Sequence, residues 1–446
     1  MKQRTGALAA PISAVDNKNK SHPMNCKTCS ALTLSALCSQ SLLAAGLIDD
    51  SQATLTARNY YLERDYQDSQ EPNKAEEWAQ GFILRFKSGF THGDQGLGLD
   101  ALGMAGFKLD SSPSRTGTDL LPVSASDRRA ADEYSKLGLT AKAKYSRTEL
   151  KAGSLDDVFI PFVYASQSRL FPQTFRGASV VSNEFDDVTL RGTWFDETTK
   201  RNSTDFEPLS LAAPNQRFNG RAQSNQATFL AAEYHPQNRY LARAYHGDVK
   251  DLYRMEYLDF KRSWPIGNDT FTADLRGFYG TEDGSARAGE VDYKNMTATF
   301  SYQTGAHLFN LGYQHAIGDT AMPYLSGTEI LVLSEFLMSS DFVGANEKAW
   351  QAKYVYDFAA AGIPGLKTTL RYMRGHDINL PERLGGNGLT ESEKHAELSY
   401  VVQSGLLAGL YLRARYSVYR NDFADAASMR DENHLRLNID YSWKLW

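Results

Sequence analysis

Cysteine is scarce, and its three copies, Cys26, Cys29 and Cys38, all fall within the first 45 residues. Cys26-Lys-Thr-Cys29 has the spacing of a zinc or redox pair, but no second pair follows and an apolar run adjoins it, so neither chemistry is supported. Leu37 stands before Cys38, where a lipoprotein acceptor site would carry a small residue. The remaining chain has no thiol, which suits an exported protein that needs no disulfides. A long hydrophobic run is missing as well. Ala31–Leu43 is mostly apolar or small, yet too short to cross a bilayer as a helix. With Lys27 before it and Leu-Leu-Ala-Ala-Gly closing it, the stretch reads as a secretory signal cleaved near Ala45, with Met1 or Met24 as the start.

Excess positive charge is also lacking. The formal net charge is −5, and residues 1–45 hold five Lys/Arg and one Asp, so the rest has 43 Lys/Arg against 52 Asp/Glu, a net of −9. Such an acidic total argues against a general nucleic-acid binder. No proline- or serine-rich linker, composition shift or long helical periodicity divides the roughly 400 remaining residues into domains. Catalytic signatures are missing too: there is no Gly-x-Ser-x-Gly elbow and no His-Glu-x-x-His. Gly96-Leu-Gly98-Leu-Asp-Ala101 mimics half a dinucleotide fingerprint, but it alternates as a strand and no βαβ unit follows. His246, His315, His376 and His395 fall at or near one set of loops, where titrating rim residues are the ordinary outcome. No catalytic residue, metal ligand or cofactor is assigned, and the chain is read as a non-enzyme.

What the sequence has in abundance is alternation. In Leu410–Tyr419, Leu410, Leu412, Ala414, Tyr416 and Val418 share one side of an extended chain; Tyr411, Arg413, Arg415, Ser417 and Tyr419 share the other. Leu435–Leu445 alternates for eleven residues, about the length of a tilted strand crossing a bilayer. Candidate strands cover about 54–63, 78–90, 97–109, 134–146, 148–154, 176–182, 187–195, 225–235, 240–246, 253–263, 270–279, 291–303, 307–314, 349–356, 366–374, 395–402, 410–419 and 435–445. These make eighteen, with sixteen as the alternative because 176–182 and 225–246 alternate poorly. Connections after even-numbered strands are short, and those after odd-numbered strands are long except at 247–252. Sorting by parity is expected of an all-β transmembrane antiparallel barrel with short periplasmic turns and long extracellular loops; a β-sandwich has no reason for it. Outward aromatics near strand ends, Trp78, Phe90, Tyr145, Trp194, Trp350, Tyr356, Tyr441 and Trp443, suit interfacial girdles.

Parity then assigns the wet face. It carries Arg85 and Lys87, Lys142 and Lys144, Glu149 and Lys151, Arg191, Arg276, Lys353, Lys367 with Arg371, Arg413 with Arg415, and Arg436. Cations in register on neighbouring strands would favour an anion within a narrow pore, and arginine's planar fork suits a carboxylate best. In the loop at 155–175, Phe159, Ile160, Phe162, Val163, Leu170 and Phe171 need cover, which folding inward against the barrel wall would supply, with packing on the rim as the alternative. It also brings Asp156, Asp157, Tyr164, Ser166, Ser168, Arg169 and Gln173, donors and acceptors for a constriction. Ser326-Gly-Thr-Glu329 has capping-box spacing, so 325–338 could form a short helix or dip inward.

Several stretches resemble the OprD family of outer-membrane channels: Gly46-Leu-Ile-Asp-Asp-Ser, Arg58-Asn-Tyr-Tyr, Glu77-Trp-Ala-Gln-Gly-Phe-Ile-Leu-Arg-Phe, Leu99-Asp-Ala-Leu-Gly, Arg115-Thr-Gly-Thr and Leu120-Leu-Pro. Others are Asp132-Glu-Tyr-Ser-Lys-Leu-Gly-Leu-Thr, Leu170-Phe-Pro-Gln-Thr-Phe, Trp350-Gln-Ala-Lys-Tyr and Tyr356-Asp-Phe-Ala-Ala-Ala-Gly-Ile-Pro-Gly-Leu. The resemblance implies an 18-stranded monomeric-pore barrel over 46–446, a third loop folded inward, and a lumenal ladder guiding carboxylates. Carried onto this chain, the ladder is Arg58, Arg85, Lys353, Lys367, Arg371, Arg413, Arg415 and Arg436. Two features depart from the family pattern: Trp446 falls off the apolar parity, and 325–338 is unusually apolar. The expected function is passive, selective uptake of small carboxylates such as amino acids or aromatic acids; a nonspecific diffusion porin and a loop-based adhesin or receptor are the alternatives. The expected surroundings are outer-membrane lipid and lipopolysaccharide, with no nucleic acid; assembly is a monomeric pore or a loose homotrimer.

Overall fold

The computed structural model describes residues 46–446 apart from Asp94 and Phe336; the signal segment expected over residues 1–45 lies outside it. Eighteen antiparallel strands form the wall. They are β1 (Gln52–Tyr66), β2 (Lys74–Lys87), β3 (Gln95–Asp110), β4 (Glu133–Tyr145), β5 (Thr148–Leu155) and β6 (Thr174–Phe185). Next come β7 (Val188–Thr199), β8 (Ala227–Tyr234), β9 (Tyr240–Val249), β10 (Tyr253–Ile266), β11 (Asp269–Glu282) and β12 (Asp292–Thr304). The circuit ends with β13 (His307–Ile317), β14 (Lys348–Asp357), β15 (Leu366–Ile378), β16 (Leu389–Val401), β17 (Tyr411–Asn421) and β18 (Glu432–Lys444). Each pairs with its chain neighbours, and β18 returns to β1 in a register running from Thr54–Lys444 to Tyr66–Glu432. Closure leaves no open edge whose backbone groups would need partners in lipid.

Eighteen is thus the number, and the poorly alternating segments are β6, β8 and β9. Among the described residues, helix is confined to a turn at 46–49 and four short 3-10 segments. Parity sorts the faces as expected. On β17, Leu412, Ala414 and Tyr416 are exposed to the outside, whereas Arg415, Ser417 and Tyr419 are buried within. Outward leucines such as Leu137, Leu258 and Leu311 are among the most exposed, as a lipid-facing surface requires.

Several boundaries move. The strand expected over 78–90 runs from Lys74 to Lys87, so Phe90 leaves the girdle; its ring sits in the turn at 4.8 Å from Lys142 Nζ and 5.9 Å from Lys144 Nζ. The strand expected over 395–402 starts at Leu389, because its first half carries buried glutamates, Glu391 and Glu393, instead of the charged-exposed pattern of a loop. Off-parity Trp446 is held by the wall: its ring lies 6.3 Å from Phe86 and its Nε1 donates to Ser51 Oγ at 2.8 Å.

The loops following the odd strands include L2 (111–132), L3 (156–173), L4 (200–226), L7 (318–347) and L9 (422–431). L3 crosses the lumen because both of its ends are apolar. Val158, Ile160, Phe162 and Val163 join Phe195, Phe229, Tyr245 and Tyr257 in one cluster, and Leu170 and Phe171 join Tyr60, Ile83, Leu102 and Tyr134 in another. Burying each aromatic ring contributes about 1.5–3 kcal/mol, which holds the loop inside rather than in water. Gly106 makes room for this docking, since a Cβ there would lie 2.6 Å from Tyr134 Cε1 and 3.0 Å from Phe171 Cε2. L7 also dips inward, burying Ile330, Leu331, Val332 and Leu333. Its Ser326–Glu329 spacing does not start a helix; Leu325 and Glu329 instead form isolated bridges with Leu211 and Tyr164.

Candidate functional site: a constriction beside a basic wall

L3 and L7 meet in the middle of the barrel. Tyr164 and Glu329 exchange backbone hydrogen bonds of 3.0 and 2.9 Å, and the Leu331 amide donates to Pro161 O at 2.7 Å. Side chains reinforce the seam. Ser166 Oγ donates to Glu329 Oε1 at 2.8 Å, and Gln173 Nε2 donates to Ser326 O at 3.1 Å and Thr198 Oγ1 at 2.9 Å. Arg201, from L4, donates to Ser166 Oγ and Ser168 Oγ, both at 3.0 Å, and pairs with Asp119 of L2 at 3.3 Å. Burial and the neighbouring Arg169 guanidinium pull Arg201 down to about 10, so it stays charged at neutral pH. Ser166 and Gln173 are fully buried, so they brace the constriction and do not line its opening.

Facing this seam is the wall formed by β14–β18 and β1. Register places Lys353 beside Arg371, Arg371 beside His395, and Arg415 beside Arg436. Between this wall and L3 lies a cavity of about 180 Å³. Its cations are Arg58, Arg413 and Arg415, its acids Glu329 and Asp440, and its neutral groups Tyr60, Tyr164, Gln167, Ser168, Tyr411 and Asn438. Tyr60 OH joins the two sides, donating to Ser168 O at 2.8 Å and lying 3.3 Å from Arg415 Nη2.

The cations fall into two groups. Arg58 pairs with Asp440 at 3.0 Å, Arg85 with Asp156 at 3.2 Å, Arg413 with Glu397 at 2.6 Å, and Lys367 with Asp357 at 3.0 Å. Among the described residues, Lys353, Arg371, Arg415, Arg436 and Arg169 have no carboxylate within ion-pair distance. Three of these lean on carbonyls: Arg371 on Glu335 O at 2.6 Å, Arg436 on Met338 O at 2.9 Å, and Arg169 on Thr118 O at 2.8 Å. The Nε–H groups of Arg371, Arg413 and Arg415 and both ring nitrogens of His395 are buried without a partner. Glu335, in L7, faces Arg276 at 3.7 Å, and burial raises its carboxyl above the ordinary range although Arg276, Lys353 and Arg371 oppose the shift. Lys87 and Lys367 lie apart from the constriction, near the rim of short turns, and Asp157 pairs with Lys151 at 2.5 Å on the same side of L3 as Asp156.

The family model for outer membrane porins of the OprD family matches residues 45–445. The chain belongs to the OprD family. It is therefore a bacterial outer-membrane β-barrel, a substrate-specific transport channel rather than an enzyme, with its long loops outside the cell. A porin-like protein of Pseudomonas putida, GalP, is 36% identical over 428 residues, covering 94% of this chain and 100% of that one. The crystal structure of OccAB2 from Acinetobacter baumannii superposes with a TM-score of 0.86 at 39% identity, covering 90% of this chain and 100% of that chain. Pseudomonas aeruginosa OpdK, solved with vanillate, gives 0.83 and 36% with the same coverage.

Alternation had placed Arg85, Lys353, Lys367, Arg371, Arg413, Arg415 and Arg436 on the wet face, and family resemblance had added Arg58. Tyr60, Glu329, Asn438 and Asp440 were missed. Asp440 and Asn438 stood on the inward parity of β18 and were legible there. Arg201 was not, because a loop residue has no parity to read.

Proposed function

We propose that this OprD-family channel passively takes up small solutes bearing a carboxylate, guided by Arg371, Arg415, Arg436 and Lys353 past the L3–L7 seam. The observation that carries the reading is the charge accounting of the wall. Arg58, Arg85, Arg413 and Lys367 are neutralised by nearby carboxylates, whereas the four guiding cations have none among the described residues, so an anionic solute would supply the missing counter-charge. Buried guanidinium N–H groups without acceptors favour a ligand that brings oxygen atoms. The chemistry of vanillate, the aromatic carboxylate found with the related OpdK, agrees with that reading. The acids Glu329 and Asp440 beside the arginines would temper the attraction, so solutes bind weakly enough to leave. Wall and constriction belong to one chain, so the unit of transport is the single barrel, whether or not copies associate.

Single-channel conductance of the refolded chain in planar bilayers tests this, with ion selectivity and a screen of amino-acid and aromatic carboxylates. Arg415→Ala removes an unpaired cation and is the cleanest substitution; Arg413→Ala also strips Glu397 of its partner. A hydrogen bond to a charged group is worth about 1.5–3 kcal/mol, so saturable block by one carboxylate class should weaken at least about tenfold in Arg415→Ala. Pores that saturate with no solute and ignore the substitution would mark a general diffusion porin instead.

A further inference from the structure

The outward surface is not uniform in charge. On the extracellular rim most outward cations have a carboxylate close by: Lys74 is 3.0 Å from Glu76, Arg176 is 2.7 Å from Asp196, and Arg254 is 2.8 Å from Asp283. Three exposed cations between β12 and β16 differ. Lys294 on β12, Arg374 on β15 and Lys394 on β16 have no carboxylate within 4.0 Å and no hydrogen-bond partner among the described residues. Lys348 on β14 lies between them, sharing Asp377 with His376 at 2.8 and 3.3 Å. Arg420 on β17 adds a further cation, 4.0 Å from Asp431.

Their height on the barrel is set by their neighbours. Trp350 is the register partner of both Tyr313 and Arg374, and Lys394 is the partner of Tyr372. All three rings face outward, with Trp350 and Tyr372 in edge contact at 5.1 Å, as in an interfacial girdle. Tyr279 continues the girdle next to Lys294, 5.9 Å from its Nζ. Toward the cell interior follow outward Leu311, Leu370 and Leu398, the hydrocarbon-facing belt. The cations therefore lie at the headgroup level of the outer leaflet. At about 4.8 Å per strand, the span from β12 to β16 is roughly 19 Å wide.

We propose that the outward face of β12–β16, at the level of Trp350 and Tyr372, is a docking surface for a phosphorylated glycolipid of the outer leaflet, with its phosphates held by Lys294, Arg374 and Lys394. Charge complementarity carries the argument: these cations lack internal partners, meet the membrane at headgroup height, and include an arginine whose fork matches phosphate oxygens. Their side chains point away from the lumen, so this surface is separate from the transport path.

The test uses the refolded full chain in detergent micelles doped with diphosphoryl lipid A, dephosphorylated lipid A or phosphatidylethanolamine. Lipid retention is read by native mass spectrometry and by the shift in thermal midpoint. The unsubstituted chain should retain and be stabilised by diphosphoryl lipid A selectively. A cation near a charged surface contributes about fivefold in binding, so Lys294→Ala, Arg374→Ala and Lys394→Ala together should weaken retention roughly a hundred-fold. Each single change should weaken it about fivefold, which keeps the test available if the triple variant folds poorly. Lys294→Arg, Arg374→Lys and Lys394→Arg together should preserve it. The ion-paired set Lys74→Ala, Arg176→Ala and Arg254→Ala should leave it unchanged. Equal retention of the dephosphorylated lipid, full retention in the triple variant, or an equal loss in the ion-paired set would each overturn the assignment.

Discussion

Gly247, on β9, is where L3 is wedged against the barrel wall, and adding one methyl group there should unseat the loop. An alanine Cβ would lie 2.5 and 2.7 Å from Phe162 Cε2 and Cζ and 2.7 Å from Phe229 Cδ1. Carbon atoms in contact prefer about 3.5–4.0 Å, so Phe162 must retreat by about 1 Å. Phe229 has nowhere to go: it packs on Phe195 at 5.2 Å, which packs on Phe175 at 4.4 Å. Overpacking of this kind costs about 1–3 kcal/mol. Phe229 belongs to the wall and crowds the alanine in either state, but the clash with Phe162 exists only while L3 is seated, so that share of the cost falls on the seated loop alone. At 1.4 kcal/mol per tenfold, the ratio of withdrawn to seated L3 should rise by up to about 150-fold. Single-channel recordings of Gly247→Ala should show wider substates or added open-channel noise, together with a lower thermal midpoint. Adding Phe162→Leu should relieve part of the clash, so the two changes should be non-additive. A Gly247→Ala channel with unchanged conductance, substate occupancy and midpoint would refute the wedge.

Three further outcomes are expected. Arg201→Ala removes the L4 bonds to Ser166 and Ser168, so the seam should loosen and current fluctuations should grow; quiet recordings with unaltered solute block would argue against the brace. Glu335, whose carboxyl is raised above the ordinary value of about 4.3, should take up a proton before the exposed carboxylates do as the pH falls. Losing that negative charge beside Arg276, Lys353 and Arg371 should raise anion selectivity, and Glu335→Gln should show the raised selectivity already at neutral pH with a smaller step on acidification. Reversal potentials under a salt gradient read both. Leu311→Arg places a guanidinium on the lipid face and should cost about 2–4 kcal/mol if the site lies near the midplane; denaturant unfolding from lipid vesicles that moves by less than about 0.5 kcal/mol would contradict the outward placement.

Much of the barrel was legible because alternation is a local property. Arg413 and Arg415 face the lumen because successive side chains of an extended strand point to opposite sides, and a membrane punishes the reverse arrangement. The apolar content of L3 likewise required cover somewhere, and inward folding was the arrangement that supplied it. Strand ends were less legible, as Phe90 and Leu389 show, since inward-facing glutamates and turn aromatics break the pattern that parity reading depends on.

Charge balance in the lumen was another matter. Arg58 and Arg415 look alike on their strands, yet Arg58 is neutralised by Asp440, 382 positions away, while Arg415 meets only the Tyr60 hydroxyl. Glu329 joins the constriction because L7 forms a bridge with Tyr164 of L3, a pairing without local signal in either loop. Which side of the wall a residue faces follows from backbone geometry and the solvent on each side, so sequence alone suffices for it. Which cation keeps its charge for a solute follows from whether closure brings a distant carboxylate within a few ångströms, and only the folded barrel settles that.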